Sequence, residues 1–176
     1  MTTIYCSNKL KDFVGQTNLT TVDSSTENKF GDWNGHLIIY DREKYLMFIN
    51  NKTYYVVILP RIKKADLSKF DSIFIDRLIE QLTFDSVIER TDALILMQRL
   101  LPVRLARTNN DRKAIGTLNE FIYQFKVQHE FFDWRNKSIT YINGKLNDTI
   151  VSASRPGKRD YGRPIDDMKS LMNTST

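Results

Sequence analysis

The turn Thr108-Asn109-Asn110-Asp111-Arg112-Lys113 holds the densest set of side chains that could do chemistry in this chain. It precedes a long amphipathic segment, so Asn110 is expected to cap a helix whose first backbone N–H groups could receive an anion. Arg112 and Lys113 would add charge there. Arg104 and Arg107, on an alternating segment just before, would project nearby from one strand edge. Plain helix capping by asparagine is the simpler account of the turn. A second basic group lies in residues 152–163, where Arg155, Lys158, Arg159 and Arg163 outweigh Asp160 and Tyr161 offers one ring for stacking. Such a loop could contact phosphates without sequence preference; a surface loop with no ligand is the plainer alternative. Arg104, Arg107, Asn110, Arg112, Lys113, Arg155, Lys158, Arg159 and Arg163 form the candidate anion- or nucleic-acid-binding set.

Other chemistries find less to work with. The chain has two histidines, His36 and His129, and one cysteine, Cys6. A four-coordinate zinc site needs a cluster of such residues, so no metal is expected. Neither histidine stands near a nucleophile motif of the Gly-x-Ser-x-Gly type. His129 falls on an apolar helical stripe and reads as a core histidine, whereas His36 opens a strand and reads as open to solvent. Cys6, beside the helix start at Ser7, reads as a small apolar residue rather than an activated thiol. Asp76 and Glu80, with Asp71 on the same helix, could pair for magnesium, but Arg77 sits among them and a solvated face explains them. Asp166 and Asp167 fit the first turn of a helix, where the macrodipole favours anions. The seven glycines are scattered and build no phosphate loop, so no cofactor is expected.

The net charge of +5 is uneven. Residues 1–88 hold 11 basic and 11 acidic side chains; residues 89–176 hold 15 and 10. A one-sided basic surface attracts polyanions, though an excess this small is common on solvated surfaces. No apolar run approaches the roughly 20 residues of a membrane helix, and Met1-Thr2-Thr3-Ile4-Tyr5 does not read as a secretory signal. With a lone cysteine, a reducing cytoplasmic setting is expected, without membrane contact.

The elements that must position these groups follow from periodicity. Trp33 to Tyr40, Tyr45 to Ile49 and Thr53 to Leu59 are β-branched and aromatic runs separated by short polar breaks, which predicts an antiparallel meander. Thr3 to Cys6 predicts a short strand, and Ser7 caps a short helix with Leu10, Phe13 and Val14 on one face. Further helices are expected at 66–82, at 87–101 and from Asn110 to about Phe132, the last with Ile115, Leu118, Ile122, Phe125, His129 and Phe132 on one stripe. Gly116 in that helix implies close packing on the sheet. Residues 103–108 alternate and fit a strand, and equally a continuation of the preceding helix. Ile139 to Ile150 fits a hairpin around Asn143-Gly144 and equally a helical face. Pro164 starts a terminal helix with Ile165, Met168 and Met172 inward. The fold class expected is α+β: one domain over 1–176, an antiparallel meander covered on one face by two or three amphipathic helices, a flexible loop at 16–32 and a basic loop at 152–163.

Three segments carry a resemblance: Ile4-x-Cys6-x-x-Lys9-Leu10; Trp33-x-x-x-Leu37-x-x-x-Asp41-Arg42-x-x-x-Leu46-x-x-x-Asn50-x-x-Thr53; and Thr108-Asn109-Asn110 followed by Ile115-Gly116-Thr117-Leu118-Asn119. In these the chain resembles a bacterial family of small cytosolic proteins whose domain has no known function. It departs from that pattern where Asp111 intervenes before Arg112 and Thr117 stands for serine. The resemblance covers most of residues 1–130 and implies a fold and a bacterial cytosolic origin, but no catalytic residue.

The function expected is that of a non-enzymatic interaction or regulatory module, with a protein partner or a second copy of itself, consistent with many aromatic side chains. The alternatives are a nucleic-acid binder using the basic C-terminal half and, last, a toxin-like nuclease or other hydrolase.

Overall fold

The computed structural model describes residues 1–21, 28–152 and 161–175. Among the described residues, seven strands and six α-helices follow one another as β1 (Thr2–Cys6), α1 (Asn8–Val14), β2 (Trp33–Tyr40), β3 (Glu43–Asn50), β4 (Val56–Pro60), α2 (Phe70–Phe84), α3 (Ala93–Leu100), β5 (Val103–Arg107), α4 (Arg112–Phe131), α5 (Ile139–Asn147), β6 (Val151–Ser152), β7 (Tyr161–Gly162) and α6 (Pro164–Ser175). Strands β6 and β7 pair with each other in a separate two-stranded sheet, and the main sheet has the order β4-β3-β2-β1-β5.

The meander forms where the apolar runs placed it. Leu37 pairs with Leu46 across β2 and β3, and Phe48 pairs with Val57 across β3 and β4. Asp41 and Arg42 turn the first hairpin with φ of 49° and 64°, the left-handed pair that a tight two-residue loop requires. The second loop is held by Asn50, whose Oδ1 accepts from the N–H groups of Lys52 and Thr53 and whose Nδ2 donates to the Phe30 carbonyl at 2.9 Å.

The sheet is mixed rather than a purely antiparallel meander. Strand β1 lies parallel to β2 on one side and to β5 on the other, with Ile4 opposite Trp33 and Leu105. Nor is one face bare. Ile4, Trp33, Phe48, Val57 and Leu59 pack with α1, α2, α3 and α6, whereas Ile38, Met47, Ile49, Val56 and Ile58 pack with α4 and α5. Leu46 to Asn50 and Val56 to Leu59 are buried without a break. That is the pattern of strands covered on both sides.

Several local details differ from the sequence reading. Residues 139–147 are the helix α5, capped by the Ser138 hydroxyl, which accepts from the Tyr141 N–H. The segment expected as a helix at 87–101 is helical only at α3, after a 3-10 turn at Arg90–Asp92. Asp111, not Asn110, caps α4. The buried stripe of α4 is Ala114, Leu118, Phe121, Phe125 and His129, while Phe132 is 61% exposed. A Cβ added to Gly116 would meet nothing within 4 Å, so close packing is not the reason for that glycine. Gly35 is the one pressed: a Cβ there would lie 2.7 Å from Leu10 Cδ2 and 2.9 Å from the Phe48 ring. Its absence lets α1 lie directly on β2. Within 16–32, the described residues form a 3-10 turn at Gln16–Asn18 and a bridge from Thr20 to Ala106 of β5.

Helix α5 closes the outer edge of β4 with side chains. Asn147 Oδ1 accepts from the Val56 N–H at 2.7 Å and its Nδ2 donates to the Val56 carbonyl at 3.0 Å. One amide thus supplies both partners that a neighbouring strand would give. The same Nδ2 lies 3.4 Å from Asp85 Oδ2, which also accepts from the Tyr55 hydroxyl at 2.5 Å. Asn143 donates to Gln81 at 3.1 Å, and Gln81 donates to the Thr140 carbonyl. Burial pushes the Asp85 carboxyl above its ordinary range, against hydrogen bonds from Tyr55, Gln81 and Asn147 and the charge of Lys169. Tyr55 and Asp85 thus stand as a buried hydroxyl and carboxyl that satisfy each other.

Candidate functional site

The chain leaves the carboxyl ends of two adjacent parallel strands in opposite directions. After β1, helix α1 packs into the core on one face; after β5, helix α4 packs into the core on the other. Such a reversal between neighbouring parallel strands opens a crevice at their carboxyl ends, the usual place for a ligand in open sheets of this kind. A cavity of about 230 Å³ lies there. Tyr5, Asn34 and His36 form its floor on β1 and β2. Ser7 and Asn8 come from the start of α1, Thr108 and Asn110 from the turn after β5, and Ile115, Leu118 and Asn119 from the first two turns of α4. Its residues thus come from four separate parts of the chain.

Local geometry fixes the polar groups. The Ser7 N–H donates to the Gly35 carbonyl at 2.9 Å, which ties the start of α1 to β2. Ser7 Oγ accepts from the Leu10 N–H and Thr108 Oγ1 from the Asn110 N–H. Asn110 takes a left-handed conformation with φ of 56°, which asparagine tolerates. Asp111 accepts from Lys113 N at 3.1 Å and Ala114 N at 3.0 Å, so the first N–H groups of α4 already have a carboxylate.

Asn34 stands apart. It is 2% exposed, lines the cavity, and its Nδ2 has no hydrogen-bond partner. A buried donor left unpaired costs about 1–3 kcal/mol. His36, half-buried two residues along the same strand, is held below the ordinary histidine pKa by burial and then by Lys9 and Lys126, so it is neutral at pH 7. Burial raises the Tyr5 hydroxyl, and nearby Asp32 adds to the effect.

Of the basic candidates, Arg112 and Lys113 lie exposed on the first turn of α4, and Asn110 lines the crevice. Arg104 and Arg107 are both exposed on β5 but three residues apart, so they leave opposite faces of the strand rather than one. Arg163 does not line the crevice and pairs with Asp148 after α5 at 3.2 Å. Arg155, Lys158 and Arg159 lie outside the described residues. Tyr5, Ser7, Asn34, His36 and Asn119 were not among the site candidates read from the sequence; Ser7 was read there only as a cap, and His36 as open to solvent, whereas burial against the crevice leaves it half-buried. The one available signal was a pair of polar residues, Asn34 and His36, at alternate positions in an otherwise apolar strand.

Cys6 and His129 are the other reactive side-chain types. Burial pushes the Cys6 thiol up to about 12, which leaves it inert. His129 is buried, with Nδ1 at 2.8 Å from the Phe125 carbonyl and its ring among Tyr40, Tyr45, Phe125 and Trp134. It borders a cavity of about 390 Å³ where Arg61 pairs with Glu43 and Arg135 with Asp41, while Lys137 lies over the Tyr141 ring. Among the described residues, no three of His, Cys, Asp and Glu gather as a metal site, and no helix is long and apolar enough to cross a membrane.

The family model titled Domain of unknown function (DUF6933) matches residues 3–167. The chain belongs to this family. The match takes in every residue of the crevice. Neither a curated protein nor a solved structure matches the chain.

Proposed function

We propose that this member of the family is a non-enzymatic interaction or regulatory module of the bacterial cytosol, and that it takes a small ligand in the crevice between β1, β2 and α4. The observation that carries this reading is Asn34, a buried amide with an unpaired donor on the wall of a cavity. A ligand that accepts from Nδ2 returns the hydrogen bond that folding leaves unmade. The cavity's place at a switch point supports it, and a buried, inert Cys6 accords with a reducing compartment. Helix α4 links the crevice to a possible partner surface. Its first turns wall the crevice, and farther along it carries exposed Tyr123 and Phe131, with Phe132 just beyond. Exposed rings of this kind suit a protein partner or a second copy of the chain.

The direct test is native mass spectrometry of the protein isolated from its own cells, beside a Leu118→Trp variant that fills the crevice. A bound small molecule in the first sample and none in the second supports the reading; identical bare masses sink it. A second reading, nucleic-acid binding, is favoured by Arg112 and Lys113, exposed on the first turn of α4, the helix whose next turns wall the crevice. It requires an affinity for DNA or RNA that falls steeply with salt.

A further inference from the structure

The donors that line the crevice outnumber its charged acceptors. Asn34 Nδ2 has nothing to donate to. Ser7 Oγ and Thr108 Oγ1 each already accept a backbone N–H, so each hydroxyl proton is left to be given away. The amides of Asn8, Asn110 and Asn119 add further N–H groups, and no carboxylate is among the lining residues. Among the described residues, Asp111 is engaged with the N–H groups of α4, and Asp32, which acts on Tyr5, with Thr3 and Asn28. Lys9 on α1 and Lys126 on α4 do not line the crevice, but both act electrostatically on His36 of its floor.

We infer that the group seated in the crevice is an oxyanion of a small molecule, a phosphate or a carboxylate, with Asn34 Nδ2 and the Ser7 and Thr108 hydroxyls as its donors and Lys9 and Lys126 as its counter-charges. This rests on the crevice being a ligand site and names what it takes. It also shifts the anion from where the sequence put it. Asp111 occupies the helix terminus, so the anion is held by side chains on the floor and the two strand ends. Charge-assisted hydrogen bonds to several donors are the strong kind, and a site of this size holds the anionic group with a modest body attached.

The test is a titration followed by two-dimensional amide NMR, with inorganic phosphate, acetate, adenosine 5′-monophosphate and adenosine as separate probes. The expected result is a saturable shift of the Ser7, Gly35 and Asn119 signals with the anionic probes and none with adenosine. Affinity should fall at least tenfold in Asn34→Leu, and two- to tenfold in Lys9→Gln, which leaves the cavity wall intact. A response to acetate alone places the oxyanion on a carboxylate; a response to both phosphate probes places it on a phosphoryl group. Adenosine moving these signals as strongly as its monophosphate overturns the oxyanion and leaves the crevice a ligand site. Silence from all four probes also overturns it, while a bound molecule in the native mass spectrum would still uphold the crevice. An unchanged affinity in Asn34→Leu, with the fold intact by the rest of the spectrum, overturns the role given to that amide.

Discussion

Asn147 and Asn34 are the same side chain in comparable burial, yet they do opposite things. Asn147 spends its amide on both backbone groups of Val56 and reaches Asp85 as well. Asn34 lines a cavity, and its Nδ2 is buried and unpaired. At the β4 edge, polar groups from β4, α2 and α5 meet and pair with one another, Asn143 Oδ1 alone among these amides being left over. At the carboxyl ends of β1 and β5, polar groups converge on a space and leave donors over. A buried polar residue is therefore informative through its partners rather than its burial: one arrangement holds the fold, the other awaits something.

Substitutions should separate the two. Asn147→Leu strips the Val56 N–H and carbonyl of partners and should cost about 3 kcal/mol by urea unfolding. A cost below about 1 kcal/mol would mean the edge is satisfied by water instead. Asn34→Leu removes a donor that has no partner, so stability should hold or rise by about 1 kcal/mol in the same assay. A loss of that size would make Asn34 structural and erase the contrast. Gly116→Ala, on the exposed side of α4 with open space about it, should stabilise by about 0.5–1 kcal/mol as the midpoint rises, because the helix no longer carries a glycine.

The faintest signature is in pH, where the two regions have opposite signs. Burial raises Asp85 above its ordinary 3.8, so the folded state holds that proton more tightly than the unfolded one. Its contribution is full below 3.8 and fades as pH rises through the raised value. Burial lowers His36 below its ordinary 6.5, so its contribution is present above 6.5 and fades as pH falls through the lowered value. Stability measured across this range should show His36→Gln flattening the fall below pH 6.5 and Asp85→Asn flattening the other slope. Identical profiles in wild type and His36→Gln would count against a neutral, buried His36.

Much of the architecture was legible in the chain because periodicity reports it. The meander, the Ser7 cap, β5 and the terminal helix at Pro164 stand where alternation and spacing put them. Coverage of both faces was also signalled, since Leu46 to Ile49 and Tyr54 to Leu59 are apolar without alternation. The parallel partners of β1 were not, because a five-residue strand pairs by tertiary contact rather than by any local mark. Helix α5 was ambiguous, as Ile139, Ile142, Leu146 and Ile150 suit a helical face while Asn143-Gly144 suits a turn. The candidate site was the least visible part. Its floor, its two strand ends and its α4 wall are separated by up to about 110 residues of sequence, and of its residues only Asn110 stood among the binding candidates. Charge pointed to Arg104, Arg107 and Arg163, which the fold distributes over different faces and edges. The groups that converge are mostly neutral amides and hydroxyls, whose meaning depends on which of their bonds are already made.

The amide at position 147 has a consequence for the behaviour of the protein in bulk. Where most sheets end in a strand that is blunted by charge or twist, this one ends in a single side chain standing in for a neighbour. Release of α5 would uncover a strip of β4 that is apolar on both sides, a template on which another molecule's strand could dock and begin fibrillar growth. The solubility of the chain thus hangs in part on how firmly one short helix keeps its place.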